Sequence, residues 1–362
     1  MSSSPNVIER NQQIPLAEPL VEVRRGAITE SRHRGHISVV TPDGSIVAFA
    51  GVPQTVTFLR SSAKPFQAIP LLVSGAADRF GFNDQEIALA CASHNGEPMH
   101  VELVGSMLQK IGLDPNALKC GAHEPYSVQA AAELRANNQP PTVLHNNCSG
   151  KHAGMLAVSK HLGAQIDTYN LAENPVQLEI GRMVSLFSGV ALEDLAVGID
   201  GCAVPVFGIT VRAMAQAFAR LVSPPAEFDS SIRQACERIV KVMTAYPELI
   251  GGTSDRLDTE IMKAAPGCIV SKVGAEGVYT AGILPTEKWP SGIGLALKIE
   301  DGDDRRARPT VVIEALSQLG VLRDESLEAV SRYAFFPVTN RVGDVVGEIR
   351  ASFALRTLQD KQ

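Results

Sequence analysis

The sequence has 362 residues, of which 45% are apolar and 20% charged, and its formal net charge is −6. A chain of this length and composition buries a substantial core in one large domain or two moderate ones, which excludes disorder as its main state. The acidic balance and the lack of a long basic run argue against nucleic acid as a partner.

The chain start and the cysteines indicate the compartment. Residues 1–5 lack a basic segment followed by an apolar core, and the longest apolar stretches are interrupted well short of a membrane span. Six cysteines in a chain of this length are too sparse for a disulfide scaffold and favour reduced thiols or a metal site. We therefore expect an unexported, cytoplasmic protein with no membrane partner.

The first elements in chain order are predicted to be strands. Residues 21–29 form one β-rich segment, and residues 36–40 and 45–50 form two more. The last two flank Thr41-Pro42-Asp43-Gly44, whose residues suit the central positions of a turn. This pattern predicts a β-hairpin after an initial strand.

Helical periodicity begins at Ser61 and dominates the middle of the chain. Asn83 is followed three residues later by Glu86, which predicts a variant of the capping box at a helix start. The predicted helices span residues 61–72, 83–92, 100–111, 127–136, 150–162, 176–187, 209–221 and 229–244.

Strand character returns after about residue 266. Strands at both chain ends predict an α+β fold, with a sheet domain formed by residues 15–60 and 266–362 and a mainly helical domain at 61–265. We expect a functional site where the two parts meet. The late strands are predicted at residues 268–273, 277–283, 294–300 and 345–351, with a helix at 310–319.

A candidate nucleophile lies at the start of the first predicted helix. Ser61 and Lys64 are three residues apart, so they share one face of a helix and can touch. A serine hydroxyl needs a neighbouring base, and a lysine can be that base if burial or nearby cations lower its pKa. Taken alone, the Ser-x-x-Lys pattern also fits an ordinary surface helix turn.

Two further segments favour a serine acyl-transfer site over a surface turn. Ser93-His94-Asn95 follows a predicted helix, and Lys272-Val273-Gly274 ends a predicted strand. Together with the Ser61 segment they have the order of the Ser-x-x-Lys, Ser-x-Asn and Lys-x-Gly segments of serine β-lactamases and penicillin-binding enzymes.

Cysteines and histidines near two turns are candidate metal ligands. Cys148 and Lys151 lie three apart at a helix start, and Asp200-Gly201-Cys202 presents a second thiol and a carboxylate. Two such thiols can hold zinc with a third ligand and water, but inert half-buried thiols fit the sequence equally well. His145 and His152 are possible ligands or ordinary hydrogen-bonded histidines. The remaining cysteines, predicted to be core residues, are Cys91, Cys120, Cys236 and Cys268.

Five segments together resemble the rhizobial-type, or class 3, L-asparaginases, from about residue 21 to the C-terminus. The resemblance is specific because long segments occur in one order. The segments are Phe58-Leu-Arg-Ser-Ser-Ala-Lys-Pro-Phe-Gln67, Cys91-Ala-Ser-His-Asn-Gly-Glu97, His145-Asn-Asn-Cys-Ser-Gly-Lys-His-Ala-Gly154, Asp200-Gly-Cys202 and Ser271-Lys-Val-Gly-Ala-Glu-Gly277.

This resemblance implies a fold, an activity and a set of site residues. It implies a fold like that of serine β-lactamases and glutaminases, a homodimer, and hydrolysis of L-asparagine in preference to L-glutamine. It also implies two Ser-Lys pairs and a zinc ion near the site. The residues implied are Ser61 with Lys64, Ser93 with Lys272, and the zinc ligands Cys148, Lys151 and Cys202, with Asp200 adjacent.

The substrate itself adds further candidates. Asparagine carries an α-ammonium and an α-carboxylate, so its site needs acceptor groups and a cation or N–H donors. The candidate substrate-binding residues are Arg60, Asn95, Glu97, Asp200 and His152. Backbone N–H groups at the helix start beside Ser61 are candidate oxyanion donors, because they are unpaired and that end of a helix is electropositive.

Two other functions use the same features. A β-lactamase or peptidoglycan transpeptidase would use the same three serine and lysine segments, although its substrate lies outside the cytoplasm. A non-catalytic amino-acid or zinc sensor would keep the pocket and bind ligand without turnover.

Overall fold

The computed structural model describes residues 16–357, which form two β-sheets and a large set of helices. The strands are β1 (Glu18–Arg25), β2 (Ile28–Val40), β3 (Ile46–Ala50), β4 (Val56–Phe58), β5 (Ala196–Ile199), β6 (Pro205–Thr210), β7 (Ile269–Val273), β8 (Val278–Ile283), β9 (Ile293–Ile299), β10 (Phe335–Thr339) and β11 (Val345–Ala351). The α-helices are α1 (Lys64–Val73), α2 (Ala76–Arg79), α3 (Asp84–Ala90), α4 (Pro98–Lys110), α5 (Val128–Ala136), α6 (Ser149–Leu162), α7 (Pro175–Ser188), α8 (Val211–Val222), α9 (Ser230–Ala245), α10 (Pro247–Ile250), α11 (Leu257–Ala264), α12 (Ala307–Gln318) and α13 (Asp324–Ala329).

The larger sheet is built from both ends of the chain, as predicted. Its eight strands follow the order β10-β11-β1-β2-β9-β8-β7, and β3 pairs with β2 off this path. The N-terminal strands β1 and β2 lie side by side between C-terminal strands, because β1 pairs with β11 and β2 pairs with β9, both antiparallel. The predicted α+β architecture is therefore confirmed.

The predicted hairpin is confirmed, and the predicted strand before it is wrong in its length. Residues 41–44 form the turn between β2 and β3, where the Gly44 N–H donates to the Thr41 carbonyl at 2.8 Å. Gly44 has φ 88°, a conformation that glycine adopts without strain. The segment predicted as one strand at 21–29 turns at Gly26, so β1 ends at Arg25 and β2 begins at Ile28.

The middle of the chain is helical, as predicted, and its helix ends follow local capping chemistry. The Asn83 side chain accepts from the Glu86 N–H at 2.9 Å, and Glu86 Oε2 accepts from the Asn83 N–H at 2.8 Å, so the capping box is confirmed. The helix predicted from residue 209 begins later, because Ile209 and Thr210 end β6. The Thr210 hydroxyl then caps α8 by accepting from the Ala213 N–H.

A second, three-stranded sheet contains two strands of this middle region and one strand that precedes it. It has the order β4-β6-β5, and all its pairings are antiparallel. The domain boundary predicted at residue 60 therefore passes between β4 and the two strands with which β4 shares a sheet.

Two apolar cores flank the larger sheet. One contains the inner faces of the central helices and one face of the sheet, and the other lies between the opposite face of the sheet and α12. Among the described residues, no helix is long and apolar enough to cross a membrane. Cys91, Cys120 and Cys236 are buried, as predicted. The prediction that Cys268 is a core residue is wrong, because the turn at Gly267 leaves its side chain exposed just before β7.

Candidate active site

A cavity of about 1020 Å³ lies where the helical region meets the edge of the larger sheet. The helical region contributes Ser61, the loop after α3 and the residue Asn147. The sheet contributes the residues that follow β7. The lining residues that matter for chemistry are Ser61, Ser93, Asn95, Glu97, Asn147, Arg256, Val273, Gly274 and Ala275.

Ser61 is presented to this cavity by a strained turn. The chain leaves β4 and enters a short 3₁₀-helix, Arg60–Ala63, in which Arg60 has φ 51°. A non-glycine residue in the left-handed region carries a conformational cost, and such residues cluster at functional sites. Ser61 is partly exposed, and its hydroxyl makes no hydrogen bond to any residue in the range 16–357. It is therefore free to contact a ligand.

Lys64 begins α1, and its buried amine reaches the second serine of the site. Lys64 Nζ donates to Ser93 Oγ at 2.8 Å and to the Asn147 carbonyl at 3.2 Å. Burial is the main cause that lowers the pKa of Lys64. The hydrogen bond therefore joins Lys64 to Ser93, whereas the resemblance implied that Lys64 pairs with Ser61.

Lys272 is fully buried on β7. Its amine donates to Asp258 Oδ2 at 3.4 Å and to the Val273 carbonyl at 3.2 Å, instead of to Ser93 as the resemblance implied. Burial lowers the pKa of Lys272 to about 7, although the Asp258 charge opposes this shift. At pH 7 about half of the Lys272 amine is therefore neutral.

The five predicted substrate-binding residues occupy three different places. Asn95 and Glu97 line the cavity, and Asn95 Nδ2 donates to Glu97 Oε1 at 3.2 Å. Arg60 and Asp200 form an ion pair with each other, with an Nε–Oδ1 distance of 3.0 Å. His152 does not line the cavity.

His152 is instead part of the packing beneath the site. It is fully buried, and its Nδ1 lies 2.6 Å from the hydroxyl of Tyr169. Burial holds the pKa of His152 well below its usual value, so the ring is neutral. A contact between His152 and the substrate therefore has no support in this arrangement.

Cys148, Lys151 and Cys202 come together although 54 positions separate the two cysteines (202 − 148). Lys151 Nζ lies 3.0 Å from Cys202 Sγ, and Cys202 Sγ lies 3.7 Å from Asp200 Oδ2. A hydrogen bond between the thiols lowers the pKa of Cys148 well below its usual value and raises that of Cys202.

This cluster fits the zinc ion that the resemblance implies. Two sulfurs and one nitrogen are buried together, and sulfur and nitrogen are the donors that zinc prefers. Within residues 16–357, no group of three His, Cys, Asp or Glu side chains has metal-binding geometry, so the lysine is needed to complete a set of three. A lysine ligand must be neutral, which makes affinity for the metal fall as the pH decreases.

Sequence comparison identifies the family of this chain. Residues 21–351 match the family L-asparaginase II. The chain belongs to the L-asparaginase II family. Membership indicates that it is an L-asparaginase, as the sequence resemblance predicted. No curated protein matches the sequence significantly.

Two solved structures similar to this L-asparaginase II family member carry other names. One is a probable glutaminase from Bacillus subtilis in complex with 6-diazo-5-oxo-L-norleucine, with 14% identity, a TM-score of 0.38 and coverage of 79% of this chain and 84% of that chain. The other is a β-lactamase from Mycobacterium bovis, with 15% identity, a TM-score of 0.42 and coverage of 79% of this chain and 94% of that chain.

Three residues of the site were missed by sequence analysis. Arg256 lines the cavity, Asp258 is the carboxylate partner of Lys272, and Ala275 lines the cavity just after β7. Arg256 precedes α11 and Asp258 lies in its first turn, and neither residue belongs to a recognised motif. Their carbonyl, amide and lysine partners are distant in sequence, so only the fold brings them together.

Proposed function

We propose that this protein hydrolyses the side-chain amide of L-asparagine to L-aspartate and ammonia through an acyl-enzyme on Ser61. The observation that carries the proposal is the hydrogen bond between Lys64 and Ser93, at 2.8 Å, beside the unpaired Ser61 hydroxyl in one cavity. The preference for L-asparagine over L-glutamine follows from family membership.

The chemistry proceeds through two acyl-transfer steps. Ser61 Oγ forms a bond to the amide carbon while its proton passes to a neutral lysine amine. The carbon–nitrogen bond then breaks, the lysine returns the proton to the leaving nitrogen, and ammonia departs. Water attacks the resulting ester, the lysine accepts and returns a proton again, and L-aspartate and the free Ser61 hydroxyl are regenerated.

We assign the general base of this cycle to Lys64, three residues after Ser61. Burial favours its neutral form, and Ser93 Oγ and the Asn147 carbonyl fix the position of its amine. Lys272 supplies a second buried amine, and we propose that it acts on Ser93. Because the charge on Lys64 lowers the pKa of Lys272, the two amines disfavour double protonation.

The oxyanion of the tetrahedral intermediate needs hydrogen-bond donors at the cavity wall. The backbone N–H groups of Ser61 and Ala275 have no acceptor among residues 16–357, and both residues line the cavity. Ser61 also lies at the start of a helical segment, where unpaired N–H groups give positive polarity. We propose that these two N–H groups bind the oxyanion.

We further propose that Cys148, Lys151 and Cys202 hold a zinc ion. The two thiols and the amine are already in contact and buried. When bound, zinc would supply a fixed positive charge that orients the substrate. Asp200 lies beside this cluster and pairs with Arg60, the residue that precedes Ser61.

Release of ammonia from L-asparagine and L-glutamine tests this function directly. We expect turnover of L-asparagine at least about tenfold better than that of L-glutamine, a difference of about 1.4 kcal/mol in transition-state binding. Ser61→Ala should abolish turnover with little effect on the melting temperature, because this hydroxyl has no protein partner. Ser254→Ala is the matched control, since Ser254 lines the same cavity and its side chain is exposed.

Three outcomes would contradict the proposal. Equal or reversed rates with L-glutamine would refute the specificity, and retained activity in Ser61→Ala would move the nucleophile to Ser93. Hydrolysis of a chromogenic β-lactam in place of L-asparagine would favour a β-lactamase. The cytoplasmic location and the homodimer stay predictions, and light scattering of the purified protein tests the second.

A further inference from the structure

Arg256 differs from Arg308, another arginine of the cavity wall, because its side chain has no carboxylate in direct contact. It lies just before α11 and lines the cavity together with Ser61 and Ser93. Its Nη1 donates to Asn95 Oδ1 at 2.8 Å, and its Nη2 donates to the Ser93 carbonyl at 2.6 Å. Both acceptors are neutral, so the guanidinium has no carboxylate in direct contact, and the charges of Asp258 and Glu97 act on it only from a greater distance.

Three neighbouring basic residues have carboxylate partners. Arg60 pairs with Asp200, Arg308 pairs with Asp304, and Lys272 pairs with Asp258. Among the described residues, no carboxylate oxygen lies within 4.0 Å of the Arg256 guanidinium. Burial lowers the pKa of Arg256. A half-buried positive charge with no carboxylate in direct contact favours the binding of an anion there.

The Arg256 guanidinium also has N–H donors that make no hydrogen bond to the described residues. It carries five N–H bonds, of which the contacts with Ser93 and Asn95 use two. Its Nε makes no hydrogen bond to any described residue, yet it is not among the polar atoms sealed from solvent. A planar guanidinium with free donors matches a carboxylate, which it can bind through two parallel hydrogen bonds.

We propose that Arg256 binds the α-carboxylate of the substrate and thereby selects amides of free α-amino acids. The inference rests on the proposed asparaginase activity and names the group that recognises the substrate. Because the same guanidinium holds the Ser93 carbonyl, and Ser93 holds the Lys64 amine, carboxylate binding also supports the position of the base. Amides without a free α-carboxylate lose this contact.

Comparison of two substrates separates this role from a purely structural one. L-asparagine has the α-carboxylate, and 3-aminopropanamide lacks it. In Arg256→Gln we expect the kcat/KM for L-asparagine to fall roughly 100-fold, mainly through KM, because a buried charge-assisted contact is lost. The already low kcat/KM for 3-aminopropanamide should change less than about threefold, since no such contact exists to lose.

Arg305→Gln is the matched control. Arg305 lines the same cavity but is exposed, so its removal tests the general loss of one positive charge. We expect its KM for L-asparagine to stay within about threefold of the wild-type value, because exposed charges interact weakly in water. If both variants raise KM equally, the effect comes from the overall positive charge of the cavity, and the inference is wrong.

Binding of L-aspartate gives a test that does not depend on turnover. Calorimetry with the wild-type protein should detect L-aspartate, and Arg256→Gln should weaken its binding roughly 100-fold. If the wild-type protein releases no ammonia from L-asparagine but this loss occurs, the proposed function fails and the carboxylate site stands. Undiminished binding in Arg256→Gln, or no binding to the wild type, would overturn the inference.

A second variant keeps the test usable if Arg256→Gln does not fold. Arg256→Lys keeps the charge but not the planar fork, so we expect a smaller increase in KM for L-asparagine and an unchanged kcat/KM for 3-aminopropanamide. Equal losses for both substrates in a variant with a wild-type circular dichroism spectrum would show that Arg256 only holds Ser93 and Asn95 in place.

Discussion

Two buried amines, those of Lys64 and Lys272, are the central chemical feature of this site. Lys272 is fully buried, and burial lowers its pKa to about 7 from an ordinary value above 10. The amine is therefore protonated below pH 7 and neutral above it. If catalysis needs neutral lysine, activity must rise as the pH increases through this value.

The pH profile of kcat/KM tests this argument. We expect a rising limb with a midpoint near pH 7, because kcat/KM reports the essential groups of the free enzyme. Asp258→Asn should move the limb to lower pH, since the Asp258 charge raises the pKa of Lys272. Lys272→Arg should lose most activity at every pH, because a guanidinium stays protonated and cannot accept a proton.

An unmoved limb in a folded Asp258→Asn protein would show that Lys272 does not set the profile. The rising limb would then report Lys64, the assigned general base, whose pKa burial also lowers. The corresponding variant, Lys64→Arg, should be inactive under the present assignment. Near-normal kcat with an unchanged profile in that variant would reduce Lys64 to a positioning charge.

At the scale of elements, the candidate zinc cluster joins a helix start to a strand end. Cys148 is the N-cap residue of α6, Lys151 lies in its first turn, and Cys202 lies in the turn between β5 and β6. Ala203 in this turn has φ 65°, so the local backbone is strained. A metal ion bound by all three residues would hold the strained turn against the helix.

Protein purified without chelator should contain about one zinc ion per chain, and Cys148→Ser should lose most of it. The matched control is Cys268→Ser, because Cys268 is exposed. Elemental analysis provides the measurement, and undiminished zinc in Cys148→Ser would contradict the assignment. Removing the metal should raise KM more than it lowers kcat, since the serine and not the metal supplies the nucleophile.

The elements also show what the sequence can and cannot predict. The capping box at Asn83 and the turn at residues 41–44 were predictable, because their partners lie three or four residues apart. The small sheet was not predictable, because β4 and β6 are short and are separated in sequence by more than half of the helical region. Pairing within the site, such as Lys64 with Ser93, depends on the same long-range packing.

Within the site, Arg256 is an example of a residue whose role could not be predicted from the sequence. A single arginine in a polar loop has many possible roles. Arg256 is distinguished only by the neutral hydrogen-bond partners of its guanidinium, which has no carboxylate in direct contact. The place of Ser61 in the cavity and of Lys272 on a strand, by contrast, could be predicted, because the Ser-x-x-Lys and Lys-x-Gly patterns occur on characteristic elements.

At the scale of the whole molecule, the active site depends on how the helical region sits on the sheet. Ser61 and Ser93 come from the helical region, and Lys272 comes from β7 of the sheet. Helix α8 connects the two by packing against β2, β8 and β9. Gly294 on β9 permits this close approach, because a Cβ atom there would lie 1.8 Å from the Ala215 carbonyl oxygen.

Gly294→Ala should therefore destabilise the protein and impair the site together. No Cβ atom fits at 1.8 Å from a backbone oxygen, so α8 must move away from the sheet, which we expect to cost on the order of 2–4 kcal/mol of unfolding free energy. The same shift alters the distance between the serines and Lys272, so kcat should fall even in the folded fraction. Gly105→Ala is the control, because a Cβ atom at Gly105 in α4 meets nothing within 4 Å and alanine favours a helix by about 0.5–1 kcal/mol. Denaturant unfolding and ammonia release measure the two effects, and a Gly294→Ala protein as stable and active as Gly105→Ala would show that the packing of α8 does not control the geometry of the site.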